Sequence, residues 1–195
     1  LQGRLRLAIH GIRFVCTAAI VMAFLGYAGE WRTLLPSEPL MGDACARISE
    51  GWSVMIKLDD FVPLLAENCS QLATDTRLVS GLEQVMASPE GLLEAQRLAL
   101  LDVVNSAAWI LVVILLEIEV RVLTRWGAVL RPATRMTNAF KMMLYATLVV
   151  AAIYWGFKGD FLDFWDAALW LFAFIFIELN VFEWQREIRD QSAAT

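Results

Sequence analysis

Four long apolar stretches, separated by polar segments, constrain the fold of this chain more than any other feature of its sequence. They cover residues 7–28, 103–123, 139–157 and 164–184. The hydrocarbon core of a bilayer is about 30 Å thick, and a helix needs about 20 apolar residues to cross it. All five prolines fall outside the stretches, so each helix keeps its backbone hydrogen bonds within lipid. We therefore predict an all-α integral membrane protein with four transmembrane helices.

The composition agrees with a membrane location and excludes several functions. Hydrophobic residues make up 58% of the 195 residues, charged residues make up 19%, and the mean hydropathy is +0.56. The net charge of -5 argues against a nucleic-acid partner, because phosphate binding requires clustered lysine and arginine. One histidine and three scattered cysteines are too few for a zinc, haem or iron–sulfur site within one chain. We expect the lipid bilayer as a partner, with no metal and no cofactor.

Basic residues flank only some of the helix ends, and they indicate the orientation of the chain. Residues 121–141 carry five basic residues and no acidic one, and Arg4, Arg6 and Arg13 lie at the start of the first helix. Residues 30–102 carry twelve acidic residues and five basic ones. Because cytoplasmic segments are enriched in lysine and arginine, we expect both termini in the cytoplasm and residues 30–102 outside. We therefore expect a multi-pass protein of a bacterial inner (plasma) membrane.

The predicted division of the chain follows from these spans. In chain order it comprises a first transmembrane helix, an extracytoplasmic cap, a second transmembrane helix, a basic cytoplasmic loop, the third and fourth transmembrane helices and a cytoplasmic tail. Their bounds are 1–29, 30–102, 103–124, 125–138, 139–185 and 186–195. Within the cap, Ser88, Pro89 and Glu90 are typical of a helix start, which predicts that the second membrane helix begins well outside the bilayer.

Apolar residues in the predicted cap recur at helical spacing. One face of a first helix carries Cys45, Ile48, Trp52 and Met55. A second face follows between positions 61 and 86, and it carries Phe61, Leu65, Cys69, Leu72, Val79, Leu82 and Met86. We therefore predict a helical cap inserted between the first and second transmembrane helices. On the oxidising side of a membrane, one cysteine on each helix favours a Cys45–Cys69 disulfide, the alternative being two buried thiols.

The second and fourth spans resemble one another. When they are aligned with position 101 on position 162, eight positions are identical, among them Asp102 with Asp163, Trp109 with Trp170, and Glu117 with Glu178. The outer ends of the first and third spans also match, with position 26 on position 156. We interpret this as two helical hairpins that form parallel repeats about an axis along the membrane normal. The alternative is convergent composition of apolar helices.

Charged residues inside the spans are the candidate functional residues. Glu117 and Glu178 lie about 7 Å to the cytoplasmic side of the bilayer centre, and Arg13 lies at a similar depth. A charge at this depth costs on the order of 3 kcal/mol, so these groups are expected to face protein or water. Glu117 can pair with Arg121 one turn along its helix, whereas Glu119 is rotated by about 200° from Glu117.

Two interpretations of these charges remain open. In the structural one, Arg13 bridges Glu117 and Glu178 and fixes the helix register. In the functional one, Glu117, Glu119 and Glu178 line a hydrated route for a cation, and Arg13 and Arg121 act as charge partners or a gate.

The leading hypothesis from the sequence is a homo-oligomeric channel or transporter for a cation. Four helices leave little room for a pore within one subunit, so conduction is expected along a symmetry axis between subunits. The alternative is a non-transport scaffold, assembly or sensing subunit whose external cap binds a partner. We expect no enzymatic activity, because no nucleophile and base lie at a shared depth in the sequence.

Overall fold

The chain divides into two compact units, Leu1–Ile110 and Leu111–Thr195. The computed structural model describes residues 2–72, 75–126, 131–158 and 161–193. Within these ranges, the side chains of residues 2–10, 119–126, 131–135 and 178, and of most residues after 180, lie outside the description.

The described residues form five α-helices. They are α1 (Gln2–Leu34), α2 (Ala66–Cys69), α3 (Pro89–Trp126), α4 (Arg131–Lys158) and α5 (Phe161–Ala193). Three stretches within the described residues are long and apolar enough to cross a membrane, namely Gly11–Leu34, Pro89–Ile118 and Met136–Lys158. The chain is therefore a membrane protein by the length and composition of its helices.

The start of α3 is as the sequence predicts. Ser88 precedes the helix, and its Oγ accepts a hydrogen bond from the backbone N–H of Gly91 at 3.1 Å. Pro89 occupies the first helical position, where its missing N–H costs nothing, and Glu90 lies in the first turn.

The segment between α1 and α3 folds as a five-stranded sheet, so the prediction of a helical cap is wrong. The strands are β1 (Ser37–Pro39), β2 (Ser53–Lys57), β3 (Asp60–Pro63), β4 (Arg77–Val79) and β5 (Val85–Ala87). Their order is β1-β4-β5-β2-β3. β2 and β5 run parallel, and all other neighbours run antiparallel. Among the described residues of this segment, helical structure is confined to α2 and one 3-10 helix, Ala44–Glu50.

The spacing of the apolar residues led to the wrong prediction of helices because the central strands are buried on both faces. In β5, Val85 and Ala87 face one core while Met86 faces another, and all three are buried. A strand buried on both faces loses the alternation of apolar and polar residues, and a short apolar run then fits a helical spacing equally well. Met55 and Met86, both predicted on helix faces, lie in β2 and β5.

One face of the sheet packs against the end of α1 and the beginning of α3. The buried residues of this core are Leu34 from α1, Met55, Val79, Val85 and Ala87 from the sheet, and Leu92, Ala95 and Ala99 from α3. Gln96 Nε2 also donates a hydrogen bond to the carbonyl oxygen of Leu34 at 2.8 Å. We call residues 31–99 the sheet domain. Both helices enter this domain as parts of its core, without an intervening linker.

The other face of the sheet is covered by the 3-10 helix and α2, which a disulfide connects. Cys45 and Cys69 are bonded, with their Cα atoms 5.1 Å apart, so the predicted disulfide is confirmed. Around it lie the buried side chains of Ala44, Val54, Leu64 and Met86. The two cysteines lie on short helical elements, the 3-10 helix and α2, rather than on the two longer helices that were predicted.

In the second unit, α4 and α5 pack against each other as a helical hairpin. The buried apolar residues of α4 are Leu144, Leu148, Ala151, Ala152 and Trp155, and those of α5 are Ala167 and Phe174. A Cβ placed on Gly156 would lie 3.3 Å from the ring of Phe164, so the two helices approach closely near their connection.

Gly81 allows the turn after β4 to lie directly against the end of α1. A Cβ at this position would overlap the carbonyl oxygen of Thr33 and lie 2.7 Å from its carbonyl carbon. These are backbone atoms, so relief requires α1 to shift. We predict that Gly81→Ala lowers the free energy of unfolding of the sheet domain by about 2 kcal/mol, measured by thermal denaturation of the full chain in detergent.

Gly29→Ala is the matched control for this variant. Gly29 lies in α1, where an added Cβ meets nothing within 4 Å, so the substitution is expected to be neutral or slightly stabilising. Equal melting temperatures for the two variants would contradict the close approach at Gly81.

The disulfide closes a loop with a sequence separation of 24 residues. We predict that Cys45→Ser lowers the free energy of unfolding by about 3 kcal/mol in the chain-entropy account, whereas Cys16→Ser, at a free and exposed cysteine, has little effect. Alkylation of the denatured chain is expected to add one label before reduction and three labels after it, since the chain has three cysteines. Three labels without reduction would refute the bond.

Candidate intramembrane charge site

Glu117 lies on α3, and its side chain is half-buried. Ala99 is the last α3 residue in the core of the sheet domain, and about 27 Å of helix separates Glu117 from it. Glu117 therefore lies within the apolar stretch of α3, Pro89–Ile118. The carboxylate therefore requires a protein or water partner, as expected from the sequence.

Arg13 lies on α1, and its side chain is exposed. Leu34 of α1 lies in the core of the sheet domain and Trp31 packs against that core, and about 27 Å of helix separates Arg13 from Trp31. None of the apolar window in Gly11–Leu34 is buried, so the described packing of the first unit leaves this helix uncovered. An arginine within an apolar helix costs on the order of 3 kcal/mol if lipid surrounds its charge, so the guanidinium is expected to be paired or hydrated.

Three predicted site residues lie outside the described side chains. Glu119 and Arg121 belong to α3, and Glu178 belongs to α5, but only their backbone is described. The Glu117–Arg121 pair and the different directions of Glu117 and Glu119 therefore stay predictions.

Lys141 is a candidate site residue that the sequence analysis did not single out. It lies on α4, 7% exposed, at the end of the stripe of buried residues that faces α5. An ammonium group in such surroundings is costly unless it has a charged or hydrogen-bonded partner.

A signal for Lys141 was present in the sequence. Lys141, Leu144, Leu148, Ala152 and Trp155 follow one another at intervals of three or four residues, which is the spacing of one helix face. Because Lys141 is also the last of a run of basic residues near a span boundary, it was interpreted mainly as a flanking charge. Its place on the buried stripe shows that protein covers it.

Two polar residues of α3 lie within the predicted second span, residues 103–123. Ser106 is buried, and its Oγ donates to the carbonyl oxygen of Asp102 at 2.7 Å. The Oδ1 atom of Asn105 is buried and has no hydrogen-bond partner among the described residues. An unsatisfied buried amide oxygen costs about 1–3 kcal/mol.

The described charged side chains can bind groups of opposite charge. No group of three or more histidine, cysteine or acidic residues among the described side chains is arranged to hold a metal ion. A carboxylate and an ammonium in apolar surroundings can attract a mobile ion, or each can fix a group of opposite charge.

Comparison with protein-family models, with curated proteins and with solved structures found no match for this chain.

Proposed function

We propose that the chain forms a homo-oligomeric membrane channel or transporter for a cation, with Glu117, Glu119 and Glu178 as the intramembrane acidic sites. Arg13 and Arg121 are the charge partners or gate in this proposal. The observation that carries it is that Arg13 and Glu117 lie within helices that are otherwise long and apolar enough to cross a membrane. A charge within such a helix has to be paired or hydrated, and a hydrated seam between subunits meets this requirement.

The topology in this proposal has four spans, the fourth being residues 164–184 within α5. The spans form two parallel hairpin repeats, and both termini are cytoplasmic. The sheet domain then lies outside the cytoplasmic membrane, where a disulfide persists.

Cysteine labelling tests this topology. In a Cys16→Ser background, we predict that Met41→Cys and Lys158→Cys react with a membrane-impermeant maleimide from outside, and that Met136→Cys and Glu187→Cys react only after permeabilisation. All four positions are exposed. Labelling of Glu187→Cys from outside would contradict the proposal that residues 164–184 form a fourth span.

Flux through the purified protein tests the conduction proposal. In liposomes with imposed sodium, potassium or proton gradients, the wild-type chain is expected to pass at least one of these cations. Glu178→Gln or Glu119→Gln is expected to reduce the rate at least about tenfold, because removing one charge that attracts the ion weakens its binding by more than about 1.4 kcal/mol.

Glu183→Gln is the matched control, because Glu183 is an exposed carboxylate on the same helix as Glu178. It is expected to keep the wild-type rate. Flux that is unchanged in both Glu178→Gln and Glu119→Gln would overturn the assignment of these sites.

The way in which α1 and α3 enter the sheet domain favours a second candidate function. Leu34 and Leu92 lie in one hydrophobic core, so a ligand or partner on the domain acts directly on two membrane helices. This arrangement suits a non-transport assembly or sensing subunit. In that case the wild-type chain shows no flux, and the same glutamine variants lower thermal stability or oligomer yield.

A further inference from the structure

We propose that Lys141 is the charge partner of Glu178 across the α4–α5 hairpin and that it acts as a tethered cation at the acidic site. The proposed function contains only Arg13 and Arg121 as partners of the acidic groups. The pairing follows from the hairpin alone, whereas its effect on conduction rests on the proposed function.

Lys141 and Glu178 lie at the same distance along the hairpin from the connection between α4 and α5. At the rise of an α-helix, Lys141 lies about 25 Å along α4 from Lys158, the last residue of that helix. Glu178 likewise lies about 25 Å along α5 from Phe161, the first residue of that helix. Both positions are therefore equally far from the connection between the helices.

Contacts and burial between the two positions and the connection support this register. Gly156 lies against Phe164, and both are within one helical turn of the connection. Ala152 and Ala167, both buried, each lie about 9 Å from their helix ends. The buried Leu144 and Phe174 lie about 21 Å and about 20 Å from the same ends. Buried side chains therefore occur at matching distances from the connection in both helices.

The two positions also lie on the faces that the helices bury. Lys141 is three residues before Leu144 and seven before Leu148, on the buried stripe of α4. Position 178 is four residues after Phe174 and eleven after Ala167, which is the spacing of one face of α5.

The sequence of α5 leaves one acidic residue for this role. Its other acidic residues are Asp163, Asp166, Glu183, Glu187 and Asp190. The nearest of them to the level of Lys141 is Glu183, which lies about 7 Å further along the helix and is exposed. Glu117, on α3 in the same unit, is the other acidic residue that could pair with Lys141, and the experiment must distinguish it from Glu178.

An ammonium held next to a carboxylate occupies the place that a mobile cation would take. In the proposed channel, Lys141 therefore lowers the occupancy of Glu178 by ions and restrains conduction. Removing the ammonium group leaves the carboxylate available to the permeating ion.

A double-mutant cycle on the full chain in detergent tests the pairing. Lys141→Met leaves a carboxylate without its counter-charge, and we expect the melting temperature to fall by about 10 °C. Adding Glu178→Gln is expected to recover at least half of this loss, and exchanging the charges in Lys141→Glu with Glu178→Lys is expected to do the same.

The controls are Lys141→Met combined with Glu117→Gln and with Glu183→Gln, neither of which is expected to recover stability. Additive effects of Lys141→Met and Glu178→Gln would overturn the pairing, as would recovery by Glu117→Gln instead. If Lys141→Met does not fold, Lys141→Arg keeps the charge, and the charge exchange still decides between the two partners.

Flux in liposomes tests the functional consequence separately. Lys141→Gln is expected to raise the cation rate severalfold over that of the wild-type chain, and Lys158→Gln, at an exposed lysine of the same helix, is expected to leave it unchanged. Coupling in the cycle with a wild-type chain that passes no cation refutes the proposed function and keeps the pairing. Flux without coupling in the cycle refutes the pairing and keeps the proposed function.

Discussion

The hydrophobic core between the sheet and the ends of two helices determines the placement of the other groups in the first unit. Leu34 ends α1 in this core, and Leu92, Ala95 and Ala99 hold the start of α3 against it. The helices therefore leave the domain at fixed points, and the regular rise of a helix sets how far Arg13 lies from the domain along α1. The absence of a side chain at Gly81 and the hydrogen bond from Gln96 to Leu34 reinforce the same junction.

The apolar parts of the helices also contain charged groups. Arg13 is exposed, Glu117 is half-buried and Lys141 is buried, so three different surroundings hold charges in helices that are otherwise apolar. Each of them costs several kcal/mol unless it is paired or hydrated. A conducting oligomer and a structural network of ion pairs both meet this requirement, and they differ in whether water reaches the carboxylates.

The sequence predicted the features that depend on hydropathy and on single residues. The apolar stretches identified α1, α3 and α4 as membrane helices, Ser88 and Pro89 identified the start of α3, and the positions of Cys45 and Cys69 identified the disulfide. Each of these signals is local, because it depends on a few neighbouring residues.

The sheet domain could not be predicted in this way, since its pattern depends on partners distant in sequence. Met86 is buried by the disulfide-linked elements, while its neighbours Val85 and Ala87 are buried by α1 and α3. With apolar residues required on both faces, the alternation that marks a strand disappears. Lys141 was missed for a related reason, since only the packing of α4 against α5 distinguishes a charge in an interface from one that flanks a span.

The most direct test of the central claim, that the intramembrane carboxylates remain ionisable at a hydrated seam, is an experimental density map of the purified protein in lipid. The expected result is an oligomer in which ordered water or ions lie beside Glu117, Glu119 or Glu178 along an opening between subunits. A single subunit surrounded by lipid, in which all three carboxylates are dry and covered by protein, would contradict it.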